Sequence, residues 1–384
     1  MSTTVQDRLS EPNIQLNIEG QKGQGTSTKL VKSFVKLNHD NVDNWAEFTF
    51  ANITSTYQHV LRTVFTPCTV MVPTSSECII GPERSMENVL MMWSKRKFSE
   101  AMKLAASVIQ QDLRQPLIEP SMRVEGICIQ KREQFMESIP KEDQDRPGKY
   151  VKPDAYVMGP VEGTKGPIYM PFEIKTSSVW RSSMLKDQKV KGAALQPLRQ
   201  LGTYCKNCET RIGILLTPIE AVAVRYYDID EWEVGCHYRA VPWSNRGRQL
   251  TVNLAIWACV MMSLNDEYHH IVPKSQLFPE INTWQECSVK GYYQHLYSGR
   301  VSSELPIGAA VVPRKAPSGK TADRVVVNYG ATDEQILREQ KRVTAQQSLP
   351  SIHALGASNG EPKKRKADVL ELRSRKVARI NLLK

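Results

Sequence analysis

Residues Lys152 to Lys175 read KPDAYVMGPVEGTKGPIYMPFEIK, in which two apolar runs flank a turn-rich segment. The runs Asp154 to Met158 and Ile168 to Ile174 have the composition of β-strands, and the Gly and Pro residues between them predict a hairpin. Asp154 stands at the start of the first strand and Glu173 near the end of the second. Antiparallel pairing therefore brings both carboxylates to the same end of adjacent strands, where they can share one cation.

Side-chain alternation along the second strand adds a lysine to this pair. Glu173 and Lys175 are two positions apart and face one side of the sheet, while Ile174 faces the core on the other side. Mg²⁺ or Mn²⁺ takes carboxylate, carbonyl and water oxygens, and it lowers the pKa of a bound water enough to make a nucleophile. A nearby ammonium group orients that water or stabilises charge that develops on a phosphoryl group. The pattern is typical of metal-dependent hydrolysis.

The segment after the hairpin predicts a helix followed by two further strands. Gln196, Gln200 and Tyr204 are spaced by four residues and share one face of the helix, which could cover the hairpin site. Pro197 predicts that the helix begins or kinks there, because proline is best tolerated in a first turn. The apolar runs Ile212 to Leu216 and Ala221 to Tyr227 predict the two strands.

Together, Pro153-Asp154, the E-x-K of Glu173 to Lys175 and the Q-x-x-x-Y of Gln200 to Tyr204 resemble the PD-(D/E)XK (restriction-endonuclease-like) nuclease superfamily, in its RecB-like branch. E-x-K recurs at Glu361 to Lys363, in a polar tail, whereas P-D occurs once in the chain. The resemblance covers about Met86 to Asp230. It implies an α/β fold with an αβββαβ core, extra helices and disordered termini.

The resemblance also implies a role for each motif residue. Asp154 and Glu173, together with the carbonyl of Ile174, would hold Mg²⁺ or Mn²⁺, and Lys175 would position or polarise the water. Gln200 and Tyr204 would support the site or contact the substrate. The substrate would be DNA or RNA, cleaved by hydrolysis of its phosphodiester bonds.

The segments around the motifs complete the predicted domain. Met86 to Leu113 predicts the first core helix, from which RecB-like enzymes often draw a further carboxylate; Glu87 and Glu100 are the candidates, with a solvated helix face as the alternative. Arg123 to Gln130 predicts the first core strand and carries Glu125, either a further ligand or an exposed acid. Arg248 to Leu264 predicts a helix that is apolar all round and buried. Ile281 to Tyr297 predicts a last helix with an aromatic stripe.

Composition bounds the class of protein. The chain has 384 residues, 41% of them apolar, which is enough for one sizeable domain with appendages or for two small ones. Its longest apolar run, Leu254 to Met262, is too short to cross a bilayer, so no membrane partner is expected. The eight cysteines have no framework spacing, which favours reduced thiols in a cytosolic or nuclear compartment.

Most of the basic charge lies in the last part of the chain. Leu305 to Lys384 contain 16 Lys and Arg against 7 Asp and Glu, a net +9 of the total +11. A nucleic-acid groove on the rest of the chain must therefore depend on local basic residues. We expect a disordered arm over residues 1–32, a nuclease-like domain over 33–304 and a disordered basic tail over 305–384.

The tail carries a short basic cluster that favours a nuclear address. Residues 362–366 read PKKRK, and Lys363, Lys364, Arg365 and Lys366 resemble the clusters that nuclear import receptors bind. Such a run also binds phosphate backbones without sequence preference, which is the rival or companion interpretation. The expected partners are therefore DNA or RNA and an import receptor.

Three alternatives to an active nuclease stay open. The first is a catalytically inactive nuclease-fold scaffold that binds nucleic acid or protein. The second is an unrelated nuclear interaction protein, in which Asp154, Glu173 and Lys175 lie more than about 10 Å apart, too far for one ion to bridge. The third is a structural zinc module built from C-x-x-C and C-H, that is, from Cys205, Cys208, Cys236 and His237. Walker, G-x-S-x-G and H-E-x-x-H motifs are absent from the sequence.

Overall fold

A computed structural model gives the fold of most of the chain. It describes residues 2–19, 34–67, 69, 72–81, 83–124, 129–130, 150–159, 167–187, 191–276, 279–314 and 341. The basic cluster at Lys363 to Lys366 and almost all of the predicted tail lie outside these ranges. Among the helices within them, none combines the length and the apolar character needed to cross a membrane.

A seven-stranded mixed sheet forms the centre of the fold. Its strands are β1 (Val42–Asn44), β2 (Ser121–Arg123), β3 (Ala155–Met158), β4 (Ile168–Ile174), β5 (Ile212–Leu216), β6 (Glu220–Asp228) and β7 (Val234–Pro242). They lie in the order β1-β7-β6-β5-β4-β3-β2. β4 and β5 are parallel, as are β7 and β1, while the other neighbours are antiparallel.

Helices cover both faces of this sheet. They are α1 (Val5–Ser10), α2 (Phe50–Thr56), α3 (Gln58–Leu61), α4 (Glu83–Val89), α5 (Lys95–Leu113), α6 (Lys191–Asn207), α7 (Val252–Ser263) and α8 (Asp266–His269). A π-helical turn, Leu90–Ser94, joins α4 to α5. Two 3₁₀ turns lie at His39–Asn41 and Ser182–Lys186.

The two faces of the sheet bury different helices because side chains alternate along each strand. On one face, Phe172 and Ile174 of β4 and Ile214 of β5 pack in one cluster with α1, α5 and α7. On the other face, Leu215 of β5 packs with Leu198, Leu201 and other residues of α6. The molecule is thus an α/β fold with helices on both sides of one sheet, and the predicted α/β class is confirmed.

Several predicted elements are confirmed to within a few residues. β4 and β5 have the predicted bounds, β3 begins one residue later than predicted, and β6 is slightly longer. α7 lies within the predicted Arg248 to Leu264, and every one of its residues is buried. The predicted helix at Met86 to Leu113 begins earlier, with α4, and contains the π-helical turn.

The predicted last helix at Ile281 to Tyr297 is wrong. The segment forms β8 (Thr283–Glu286) and β9 (Tyr293–His295), which pair with β10 (Val301–Ser302) and β11 (Ala310–Val312) in a second sheet of order β10-β9-β8-β11. Gly291 between β8 and β9 has φ +84°, a conformation that ends a helix and suits a turn. The aromatic side chains favour strands as well as helices, so their spacing alone was misleading. β11 also lies inside the predicted tail.

The first core strand lies earlier than predicted. The strand that pairs with β3 is β2, Ser121–Arg123, and its Met122 is buried in the core. Residues 129–130 pair with 150–151 in a separate two-stranded ladder. Glu125, the candidate on the predicted strand, lies outside the described residues.

The N-terminal segment is folded where an unstructured arm was predicted. Thr4 caps α1 through a capping box with Asp7, and Val5 and Leu9 are fully buried in the main core. The prediction for residues 1–32 is therefore wrong for residues 2–19, while residues 20–33 lie outside the described chain. A helix of six residues is too short to give a periodic pattern, so only its tertiary contacts identify it.

Replacing Thr251 by alanine should lower the free energy of unfolding by about 1–3 kcal/mol. The buried Thr251 hydroxyl caps α7 by accepting from the Leu254 N–H at 3.2 Å, and it donates to the Leu9 carbonyl at 2.6 Å. Chemical denaturation measures the loss. Thr251→Ser keeps the hydroxyl and serves as the control, so equal losses in both variants would contradict this account of the N-terminal segment.

Candidate active site

Asp154 is held at the end of the hairpin by two backbone contacts. Ala155 pairs with Phe172, so Asp154 stands opposite Glu173 at the next position. The Asp154 N–H donates to the Phe172 carbonyl at 3.2 Å, and its Oδ2 accepts from the Ile174 N–H at 2.7 Å. The side chain thus extends the β3–β4 ladder beyond the last strand residue of β3, which fixes the carboxylate at the end of the sheet as predicted.

Glu173 and Lys175 lie on the same face of β4 and form an ion pair. Glu173 is fully buried and contacts the Lys175 ammonium, which is 6% exposed. Ile174 faces the opposite side and packs in the main core, as side-chain alternation predicts. The dispersed arrangement required by the unrelated-protein alternative is not found, because the acid and the amine touch and Asp154 lies across from them.

A further carboxylate from the first helix, Glu83, was not predicted. Glu83 is the first residue of α4, and its Oε1 lies 3.6 Å from Lys175 Nζ. Burial raises its pKa first, and the negative charge of Asp154 raises it further, whereas Lys175 opposes both. Glu83 was overlooked because the helix was predicted to begin at Met86. Its spacing of four residues from Glu87 could have identified a shared acidic face.

Of the two acids proposed from this helix, Glu87 lies near the site and Glu100 does not. The pKa of Glu87 is raised by burial, then by the charge of Asp154, which places the two acids within electrostatic range. Glu100 lies in α5, roughly 25 Å from Glu83 along the helix axis at 1.5 Å per residue. Of the two interpretations given for Glu100, its distance from the site favours an acid on the helix face over an additional ligand.

α6 brings Gln200 and Tyr204 over Glu173. Gln200 Nε2 donates to the Tyr204 hydroxyl at 2.7 Å, and Tyr204 lies close enough to Glu173 to lower the pKa of this acid. Tyr204 is 5% exposed, so the chain of contacts is shielded from water. The structure thus brings Gln200 and Tyr204 of the Q-x-x-x-Y motif together with Glu173 of the hairpin. The start of the helix is different, because α6 begins at Lys191 and Pro197 lies inside it.

Two amide atoms on the same face of α6 are buried without a hydrogen-bond partner among the described residues. They are Gln200 Oε1, an acceptor, and Gln196 Nε2, a donor. A buried amide atom that lacks a partner costs free energy, so an unpaired donor and acceptor one turn apart are suited to a polar group that enters the site. Both atoms belong to the helix face that also carries Tyr204.

The buried acids of the site have raised pKa values. Burial raises the pKa of Glu173 to about 8, and the charge of Asp154 adds to this, while Lys175 and the hydrogen bond from Tyr204 oppose it. Burial also raises the pKa of Asp154, against the hydrogen bond from the Ile174 N–H and the charges of Lys175 and Lys152. Both shifts favour the protonated acids, which a cation between the carboxylates would reverse.

Lys175 remains a cation in this environment. Burial alone would lower its pKa, but the charges of Glu173 and Glu83 outweigh burial and raise the pKa. A lysine held in the charged form is a hydrogen-bond donor and an electrostatic stabiliser. It cannot serve as a general base while its pKa is raised.

The donor set at the end of β3 and β4 fits a hard divalent cation. Asp154 and Glu173 offer carboxylate oxygens on adjacent strands. The Ile174 N–H points to Asp154, and the carbonyl of a strand residue points to the same side as its N–H, so this carbonyl is directed to the same end. Three oxygen donors of this kind suit Mg²⁺ or Mn²⁺.

The zinc alternative is contradicted by the faces of β7. Cys236 packs with Cys205 under α6, whereas the next residue, His237, lies opposite Asp43 and Arg225 on the other face. Burial raises the pKa of the Cys236 thiol, as expected for an inert core cysteine. Within the described ranges, no three His, Cys, Asp or Glu residues are grouped so as to hold a metal ion.

Basic residues near the site divide into exposed and structural ones. Lys152, Arg181 and Lys186 are exposed and available to a polyanion. Arg199, by contrast, donates to the Leu37 carbonyl at 2.9 Å, and Arg211 is buried beside Tyr297.

No family model matches the chain, and neither a curated protein nor a solved structure matches it.

Proposed function

We propose that the chain is a nuclease that hydrolyses phosphodiester bonds in DNA or RNA with Mg²⁺ or Mn²⁺. The observation that carries this proposal is the meeting of Asp154, Glu173 and Lys175 at one end of two paired strands. Two acids that can hold a hard cation, with an ammonium beside them, are the groups that metal-assisted phosphoryl hydrolysis uses. An acid pair that merely ended two strands would be solvated, whereas Glu173 is fully buried.

The order of elements supports the αβββαβ core that the motifs imply. A helical segment, α4 and α5, precedes three antiparallel strands, β2 to β4, and α6 then leads to β5, parallel to β4. The motif residues occupy the end of β3, the end of β4 and the face of α6. This is the arrangement expected of a PD-(D/E)XK nuclease, with β6, β7 and β1 as additions to one edge.

Each site residue has a role that follows from its contacts. Asp154, Glu173 and the Ile174 carbonyl would hold the cation, which would supply an activated water and neutralise phosphate charge when bound. Lys175 donates to the water or to a phosphoryl oxygen, and Glu83 keeps it charged and oriented. Tyr204 and Gln200 fix Glu173, and the unpaired amide atoms of Gln196 and Gln200 are directed to the substrate.

A nuclear location and an import receptor as a partner remain part of the proposal. Both rest on the sequence of Lys363 to Lys366. A catalytically inactive scaffold for nucleic acid or protein is the second candidate, and it shares the fold and the basic tail. Cleavage distinguishes the two, because a scaffold binds nucleic acid and leaves it intact.

The test is a cleavage assay with the purified full-length chain. Labelled single- and double-stranded DNA and RNA are incubated with Mg²⁺ or Mn²⁺. We expect cleavage of at least one substrate, no cleavage with EDTA, and a loss of about 10²-fold or more in Asp154→Asn. Asparagine keeps an oxygen that can accept from the Ile174 N–H, so the fold should persist.

Glu286→Gln is the matched control, since Glu286 is an exposed carboxylate at the end of β8, outside the site. It should cleave at the wild-type rate. Equal cleavage by wild type and Asp154→Asn would contradict the proposed site. Binding of nucleic acid without cleavage of any substrate would favour the inactive scaffold.

A further inference from the structure

A cleft of about 490 Å³ lies at the edge of the main sheet that is remote from β3. Its walls come from β6, β7, the segment that follows β1 and the loop before β8. The volume lies in the range of small-molecule sites. Val224 and Tyr226, the neighbours of Arg225 along β6, pack under α6. Because side chains alternate along a strand, Arg225 and the cleft lie on the other face of the sheet, whereas Glu173 lies on the face that α6 covers. It is therefore separate from the candidate active site.

A row of three polar side chains crosses the floor of the cleft. His237 on β7 is directly paired with Asp43 on β1 and with Arg225 on β6, so all three side chains lie on one face. Arg225 is engaged by Glu47 at 3.1 Å. His237 Nδ1, by contrast, is buried without a hydrogen-bond partner among the described residues.

Tyr227 forms the wall beside His237, because Gly235 leaves room for it. A Cβ on Gly235 would lie 2.2 Å from Tyr227 Cζ, so the ring occupies the space of the missing side chain. Lys274 Nζ lies 5.5 Å from the centroid of the Tyr227 ring. Within the described chain, no acid forms an ion pair with Lys274. Its ammonium is a donor beside the same ring as His237, whose unpaired Nδ1 donates in the tautomer that carries the proton on this nitrogen.

The cleft also contains acidic side chains. Burial raises the pKa of Glu47 most, and the nearby charge of Glu280 adds to it, so the two carboxylates are close to one another. Arg225 compensates Glu47, which leaves Glu280 as an exposed acceptor. A cationic donor, an imidazole nitrogen and an exposed carboxylate in one cleft suit a ligand that has both an anionic group and hydrogen-bond donors.

We propose that this cleft binds a nucleotide, with its phosphate on Lys274 and His237 and the N–H donors of its base on Glu280. Phosphate takes charge-assisted hydrogen bonds from Lys and from an imidazole N–H, and a carboxylate accepts from the amino groups of bases. Asp43, beside His237, is placed to accept from a ribose hydroxyl. The nucleotide is either a free monophosphate or one unit of a nucleic-acid strand.

Isothermal titration calorimetry on the full-length chain tests the proposal. The ligands are the four ribonucleoside 5′-monophosphates, their nucleosides, inorganic phosphate and a short single-stranded oligonucleotide. Each titration is repeated in Asp154→Asn without divalent metal, so that cleavage and binding at the candidate active site do not contribute. The variants are Lys274→Ala, His237→Phe and Glu280→Gln, and Lys290→Ala serves as an exposed lysine control outside the cleft.

We expect at least one monophosphate to bind more tightly than its nucleoside and than phosphate. Lys274→Ala should weaken binding about tenfold or more, the loss of one charge-assisted hydrogen bond, and Lys290→Ala should not. Binding of the oligonucleotide alone, with the same sensitivity to Lys274→Ala, would identify a nucleic-acid strand as the source of the nucleotide. The proposal would be overturned if neither the monophosphates nor the oligonucleotide bound. It would also be overturned if Lys274→Ala and His237→Phe both bound the ligand as tightly as the wild type.

Discussion

Replacing Lys175 by methionine should lower the cleavage rate by about 10²–10³-fold, because it removes the ammonium group that contacts the buried acid of the site. Methionine fills a similar volume and carries no charge, so the loss reports the electrostatic contribution. Lys175→Arg keeps a cation but alters its geometry, and we expect an intermediate rate. Single-turnover cleavage at saturating metal measures the chemical step in each variant.

The same substitution affects stability in a way that separates folding from catalysis. Breaking a buried ion pair costs about 3–5 kcal/mol when the remaining charge has no partner. Glu173 can take up a proton instead, since its pKa is already raised to about 8, so we expect a smaller cost. The double variant Lys175→Met/Glu173→Gln removes both charges. It should regain stability and stay inactive, whereas recovery of cleavage in the double variant would contradict the role of Lys175.

Replacing Glu173 by glutamine should abolish cleavage. In metal-free buffer the variant should also be more stable than the wild type, by a margin that grows as the pH rises. The side chain ionises near pH 4.5 in the unfolded chain but near pH 8 in the folded one. Between these values the folded state binds more protons, so wild-type stability falls as the pH increases, and it levels off above pH 8. The variant lacks this decline. The difference between the two should grow to at most about 5 kcal/mol, which is 1.36 kcal/mol for each unit between the two pKa values.

Denaturation curves at several pH values measure this difference, and Glu286→Gln again provides the control because Glu286 is exposed. Lys175 keeps Glu83 at 3.6 Å in the variant, so its charge is not left alone. Adding Mn²⁺ at pH 7 should raise the melting temperature of the wild type by several degrees and that of Glu173→Gln by less. A difference in unfolding free energy that did not depend on pH would contradict the raised pKa of the buried Glu173. Equal increases of the melting temperature with Mn²⁺ in wild type and variant would contradict metal binding at this acid.

The arrangement around Glu173 explains why the motif residues could be predicted and their neighbours could not. Asp154, Glu173 and Lys175 are linked by the two-residue period of strands and by one hairpin, so their relation is local in sequence. Glu83 reaches the same ammonium from far along the chain. Its place depends on how α4 packs against β4, which no local pattern describes.

The two wrong predictions of secondary structure have related causes. The segment Ile281 to Tyr297 has aromatic residues that suit either secondary structure, and its pairing with β10 and β11 decides for strands. α1 is too short to be recognised by period, and its capping box and buried Val5 and Leu9 hold it on the core. In both cases tertiary contacts supplied the free energy that local preference lacked.

The sequence by itself determined the hairpin, the faces of Glu173 and Lys175, the helix that carries Gln200 and Tyr204, and the strands β5 and β6, because each depends on a period of a few residues. Only the tertiary structure brought Glu83 to Lys175, separated His237 from Cys236 across β7, and aligned Asp43, His237 and Arg225 over three strands. These contacts join distant segments, and burial of the common core selects them.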